Sequence, residues 1–152
     1  TWTTEAQIGI VSNRAGGTTT TTRRATVDLG VSNMYVEVEV VSNEGGVYAR
    51  YTDTSNQYVF YYNASQNKLV LDKRVAGSTT TLWSSSVGSF TPGSGQTVGL
   101  DVQGSTLRAF ANGSVVTTQT DSSLSTGTMA GMRAAATGSF AMDNWKAQDF
   151  AA

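Results

Sequence analysis

The chain has 152 residues, 10 Lys and Arg against 11 Asp and Glu, a formal charge of -1, and neither histidine nor cysteine; this length suits one domain with a real core. Its charges are scattered singly or in pairs, so no basic stripe is available to neutralise phosphates and nucleic acid is excluded as an expected partner. Without cysteine and histidine there are no disulfides, no thiol nucleophile, no usual zinc ligands and no histidine base for a serine nucleophile.

No apolar run approaches the ~20 residues needed to cross a bilayer and no charged-then-apolar leader opens the chain, so membrane insertion is not expected. Sixteen glycines and a single proline, set among many Ser and Thr, suit strands joined by turns. Helical apolar spacing is absent and the repeating signal is alternation. Strands are expected at 7–11, 23–29, 34–41, 46–52, 57–62, 67–75, 79–84, 96–102, 105–110, 115–120, 128–134 and 139–147. The clearest is MYVEVEVV (34–41), with Met34, Val36, Val38 and Val40 on one face and Tyr35, Glu37 and Glu39 on the other, a dry side and a wet side. GGTTTTT (16–22) and TPGSGQ (91–96) read as loops, the Thr/Ser runs at 79–81 and 84–86 as exposed edge or loop, and Asn112-Gly113 as a type I′ hairpin turn. Turn signals recurring every ~8 to 12 residues are the pattern of a sandwich or barrel.

Five of the six tyrosines fall between 48 and 62. If the strands there close over Asp53 to Asn56, the register pairs Tyr51 with Tyr58, Ala49 with Phe60 and Tyr48 with Tyr61. One face then carries Val47, Ala49, Tyr51, Tyr58, Phe60 and Tyr62 and is assigned to the core. The other carries Tyr48, Arg50, Gln57, Val59 and Tyr61. Rings of Tyr48 and Tyr61 beside the Arg50 fork suit a sugar face; the competing reading is that they cover the sheet or pack on a neighbouring domain.

Glu37 and Glu39 share a strand face with Cα atoms roughly 6.6 Å apart, as a two-carboxylate mechanism would need. Their run, EVEVVS, departs from the glucanase pattern E-x-D-x-x-E in its middle acid and lacks the third, with Ser42 there instead. The pair is read as a solvated strand face, with no catalytic residue assigned and no metal ligand either. No cofactor is expected, although Asp143, Asn144 and Asp149 leave a structural calcium open, since oxygen ligands suffice for that ion.

The segments IVSNRA (10–15), ATVDLGVSN (25–33), VYARYTDTSNQYVFYYN (47–63), LVLDKRVAGSTTTL (69–82), GLDVQGSTLRAFANG (99–113) and FAMDNWKAQDF (140–150) resemble, in order and over nearly the whole chain, the concanavalin A-like lectin/glucanase jelly roll in its laminin-G-like bacterial and phage form. The resemblance implies an all-β fold, a two-sheet antiparallel jelly-roll sandwich, forming a single domain over 1–152. Arg50 and Tyr51 stand at the family's R-Y position before the turn Asp53 to Asn56, and Asp143, Asn144 and Trp145 match its closing strand, which implies a structural role for Trp145. The acidic-aromatic strand that usually precedes the tryptophan matched by Trp2 is missing, and the chain starts at Thr1 rather than Met; the expectation is either a segment of a longer protein or another element filling that sheet edge. The resemblance, together with the missing Met, the Thr/Ser-rich surface and the absence of catalytic groups, points to a non-enzymatic domain of a phage virion, in a tail or tail-tip protein, with host-surface glycan and other virion or parent-chain subunits as partners; the outer face of the tyrosine hairpin makes Tyr48, Arg50 and Tyr61 the expected ligand-binding residues. The alternatives are a carbohydrate-binding module of a secreted, extracellular bacterial hydrolase and a purely structural or oligomerisation domain.

Overall fold

The computed structural model describes residues 2–4, 9–11, 14–19, 21–86, 88, 90–134 and 138–149. Its strands are β1 (Thr3–Thr4), β2 (Gly9–Val11), β3 (Arg14–Thr19), β4 (Arg23–Asp28), β5 (Met34–Ser42), β6 (Gly45–Asp53), β7 (Asn56–Asn63), β8 (Lys68–Val75), β9 (Ser78–Ser86), β10 (Thr97–Gln103), β11 (Thr106–Ala111), β12 (Ser114–Thr120), β13 (Met129–Ala134) and β14 (Gly138–Asp149). Among the described residues they form two seven-stranded antiparallel sheets, ordered β1-β4-β13-β6-β7-β8-β9 (sheet A) and β12-β11-β10-β5-β14-β3-β2 (sheet B). No helix among them is long and apolar enough to cross a membrane.

Alternation decides which side of each strand is dry. Met34, Val36, Val38 and Val40 of β5 are all fully buried, and across the interior they meet Val47, Ala49, Tyr58, Phe60 and Leu71 of sheet A in one cluster with Leu100, Leu107 and Met142. Packing two such faces removes the apolar side of every strand from water at once, which is the main term holding a sandwich without disulfides together. Asn112 and Gly113 both take positive φ, 50° and 77°, as a type I′ turn requires. The hydroxylated run of β9 lies at the open edge of sheet A and is exposed.

Two expectations about strands and turns change, at residues 16–19 and at the tyrosine hairpin. Residues 16–19 are strand rather than loop: β3 pairs with β2 on one side and β14 on the other, and the β-branched Thr residues suit a pleated surface better than their lack of apolar pattern suggests. Residues 7 and 8 of the first expected strand lie outside the described set. The tyrosine hairpin keeps the expected register only at its turn, where Asp53 pairs with Asn56; further on, Ala49 faces Tyr58, Tyr48 faces Val59 and Val47 faces Phe60.

The cause is a bulge. Between those two registers β6 takes four steps where β7 takes two, and Arg50 within it sits at φ 45°, a left-handed conformation that bends a strand and re-aims its side chains. Tyr51 is thereby carried to the outward face of sheet A, where its ring lies 5.6 Å from that of Tyr48. Tyr58 and Tyr62 stay in the core as expected.

Arg50 does not join Tyr48 and Tyr61 on one open face. It is 2% exposed, and its guanidinium donates to the Ser32 carbonyl (2.7 Å), the Leu124 carbonyl (2.8 Å) and Asn33 Oδ1 (3.1 Å). Burial lowers its pKa, the direction expected of a cation withdrawn from water. Beside it the Tyr58 hydroxyl donates to Asp121 Oδ1 at 2.7 Å, and Lys73 reaches Asp121 Oδ2 at 2.5 Å. Arg50 and Tyr58 thus fasten the 121–128 connection across the end of the sandwich.

Candidate functional site

The outward face of sheet A can be drawn from its register. In one row, Arg24 of β4 faces Arg133 of β13, which faces Gly46 of β6, which faces Tyr61 of β7. In the next, Thr26 faces Gly131, then Tyr48, Val59 and Asp72 follow on β6, β7 and β8. Gln57 faces Arg74 one row further, and Arg74 faces Thr79 on the edge strand β9. These residues enclose a cleft of about 250 Å³, lined by Thr22, Arg24, Tyr48, Gln57, Val59, Tyr61, Asp72, Arg74, Thr79 and Arg133.

Tyr48 and Tyr61 share the outward face, as expected, and both line this cleft, but they are not a directly opposed pair. Tyr48 is 2% exposed and packs with Tyr51 and Val59 in a small apolar floor. Over that floor lie arginines: the Arg133 guanidinium is 3.9 Å from the Tyr61 ring centre and that of Arg24 is 5.7 Å from the Tyr48 ring centre, within the range of cation–π attraction. The ring faces therefore support cations rather than standing bare for a sugar to stack on. Glycine permits the arrangement, because a Cβ on Gly46 would fall 2.3 Å from the Phe60 carbonyl oxygen and 2.4 Å from Tyr61 Cβ.

The polar groups are held in fixed places. Arg133 Nη1 donates to Glu44 at 2.7 Å, Arg74 Nε donates to the Gly77 carbonyl at 3.0 Å, and Asp72 accepts from Thr81 Oγ1 at 2.6 Å and from the Tyr61 hydroxyl at 3.1 Å. Burial, and then the Asp72 carboxylate, push the Tyr61 hydroxyl up to about 12, so it stays a neutral donor to Asp72. Gln57 differs: it is 4% exposed, yet its Oε1 is buried and has no hydrogen-bond partner among the described residues. A buried acceptor in that state costs roughly 1 to 3 kcal/mol unless something donates to it.

Sequence reading placed Gln57 on the right face but gave it no role. Arg24 and Arg133 were missed altogether, because they stand on strands far apart in the chain and nothing local marks them as neighbours.

The carboxylates considered for catalysis lie on the outward face of the other sheet. Glu37 accepts from the Tyr35 hydroxyl at 2.6 Å and from Lys146 at 3.1 Å. Glu39 is not solvated as expected: it is 6% exposed and accepts from the Gly95 amide at 2.7 Å and from Asn144 Nδ2 at 2.6 Å. These bonds tie the β9–β10 connection and β14 to β5. Asp143 pairs with Glu39 and Asp149 with Met34, five β5 residues apart and so roughly 17 Å along the strand; one calcium ion cannot take both as ligands. Among the described residues no group of three or more acidic side chains converges as a metal site. Trp145 packs against the core and meets the Trp2 ring edge-on at 4.6 Å, a structural placement.

A second cleft, of about 430 Å³, opens where the edge strands of the two sheets approach one another, with Leu69, Trp83, Phe90 and Val116 inside and Ser85, Ser86, Asn112 and Ser114 at its lip.

The architecture is that of the concanavalin A-like jelly-roll sandwiches, shared with solved structures over almost the whole chain. A carbohydrate-binding module, CBM66 from Bacillus subtilis, superposes with a TM-score of 0.75 at 12% identity, covering 97% of this chain and 95% of the module. The beta-glucanase of Bacillus licheniformis gives 0.68 at 12% identity over 99% of this chain and 92% of the enzyme. A toad ovary galectin solved with thio-digalactose gives 0.60 at 15% identity, covering 88% and 98%. Binding modules, lectins and an enzyme thus share this sandwich, and at such identities the likeness establishes the fold alone. No protein-family model matches the sequence, and no curated protein matches it either.

Proposed function

We propose that this domain is a non-catalytic carbohydrate-binding module whose ligand lies in the cleft on the outward face of sheet A. The observation that carries the reading is Gln57: a side chain almost wholly buried in the wall of a polar cleft, with an acceptor oxygen that a ligand hydroxyl would satisfy. The cleft volume is below the ~300 to 1,000 Å³ of drug-sized sites and suits one or two sugar rings. The similarity to a carbohydrate-binding module and to galectins supports the reading at the level of fold. The engagement of Glu37 and Glu39 in bonds that hold loops and strands together supports a non-catalytic role. The setting in a phage tail rests on the sequence resemblance alone, with a secreted bacterial hydrolase as the alternative parent; mass spectrometry of purified particles tests it.

A binding experiment decides the site. The protein, displayed multivalently on beads so that weak sites add, is presented to a glycan panel beside Gln57→Leu and Lys146→Ala, the latter on the opposite sheet. Capture by the wild type and by Lys146→Ala, with loss in Gln57→Leu at an unchanged melting temperature, is the expected result. Equal capture by Gln57→Leu would move the ligand elsewhere, and no capture of any glycan by the wild type would end the reading.

A further inference from the structure

The charge of the cleft is unlike that of the chain. Among the described residues, three basic side chains, Arg24, Arg74 and Arg133, and one acidic one, Asp72, line it. Asp72 is moreover engaged from both sides by Thr81 and Tyr61, so its oxygens are turned to the protein. Arg24 and Arg133 stand directly opposite each other on β4 and β13, a juxtaposition of like charges that a sheet normally avoids. Each lies over a tyrosine ring, 5.7 and 3.9 Å from its centre, and Glu44 holds Arg133 from outside the cleft lining. Planar forks held in place in this way match the paired oxygens of a carboxylate or sulfate.

We infer that the cleft selects an acidic saccharide, its oxyanion taken by the Arg24 and Arg133 pair and a ring hydroxyl donated to Gln57 Oε1. The inference rests on the binding reading above and narrows it from glycans in general to anionic ones. The apolar floor of Tyr48, Tyr51 and Val59 has a low dielectric and so strengthens a charged contact above it. Arg74, on the far side beside Gln57, can meet a second acidic group along the same chain.

The test uses four probes on the intact protein: a polyuronide oligosaccharide, the same oligosaccharide with its carboxyls reduced to alcohols, a sulfated neutral oligosaccharide, and its unsulfated parent. The expected result is capture of the polyuronide or the sulfated probe, at least about tenfold weaker capture of the matching uncharged probe, and affinity that falls as salt is raised from 0.05 to about 0.5 M. Which of the two charged probes is held tells carboxylate from sulfate. Arg133→Gln and Arg24→Gln should each cost about tenfold for the charged probe and little for the uncharged one, and Arg74→Gln, which breaks no ion pair among the described residues, reports on the cleft should either of those fail to fold. Equal or better capture of the uncharged probes, still lost in Gln57→Leu, would overturn the acidic inference and leave the binding reading intact. Failure of all four probes together with every neutral glycan would remove both.

Discussion

Replacing Arg50 with alanine is the most direct check on the end of the sandwich. The guanidinium makes three hydrogen bonds, to Ser32, Leu124 and Asn33. Its partners are only half-buried, so water can replace part of what is lost, and about 1 kcal/mol for each bond is appropriate. Loss of the buried aliphatic stem adds about 1 kcal/mol. Relief of the desolvation that lowers the arginine pKa returns about as much. The net is about 3 kcal/mol, or a melting temperature roughly 6 to 12 °C lower for a chain of this size. Arg50→Gly deletes the same contacts but accepts φ 45° without strain, so it should be about 1 kcal/mol more stable than Arg50→Ala. Urea denaturation of wild type and both variants gives the numbers, with an unchanged slope against urea showing that the unfolded state is the same. A loss under about 1 kcal/mol for Arg50→Ala, or a glycine variant no better than alanine, would refute the account of the bulge.

Asp121 supplies an acid-sensitive clamp. Burial opposes its ionisation, but hydrogen bonds from Lys73, Tyr58 and Ser123 together outweigh that and hold it down to about 2; since 3.8 is its ordinary value, the stabilisation is full above about pH 5 and is lost as pH falls towards 2. After allowance for screening near the surface it amounts to about 1 kcal/mol, roughly half of it lost by pH 3, so between pH 6 and pH 3 the wild type should lose about 0.5 kcal/mol more than Asp121→Asn on denaturation. Ala76 occupies the first position of a turn with φ 49°, followed by Gly77 at 83°; Ala76→Asn should stabilise by roughly 0.5 kcal/mol, and a lower melting temperature would contradict it. Gly46→Ala puts a methyl against the Phe60 carbonyl and should cost roughly 2 kcal/mol or more, read by the same melts. Glu37→Gln and Glu39→Gln should leave glycan hydrolysis at the blank level of the wild type; reducing-sugar release by the wild type that either variant abolishes would show the protein to be an enzyme.

Much of the fold follows from local pattern. Met34, Val36, Val38 and Val40 alternate with polar neighbours, and a period of two can bury one face only as a strand; Asn112-Gly113 takes positive φ because those residues do so at little cost. With no cysteine or histidine, a sandwich or barrel held by its apolar faces was therefore already implied by the amino-acid order. The tertiary structure decided what lies beside what. Whether β6 continues straight or bulges at Arg50 depends on the carbonyls of Ser32 and Leu124 waiting for its guanidinium, and that choice moved Tyr51 from the core to the outer face. Arg24 and Arg133 are neighbours only because β13 returns from near the end of the chain to lie between β4 and β6. Strand identity comes from residues two apart, whereas a cleft is assembled from strands whose order in a sheet is set by long-range pairing, and no local period encodes it.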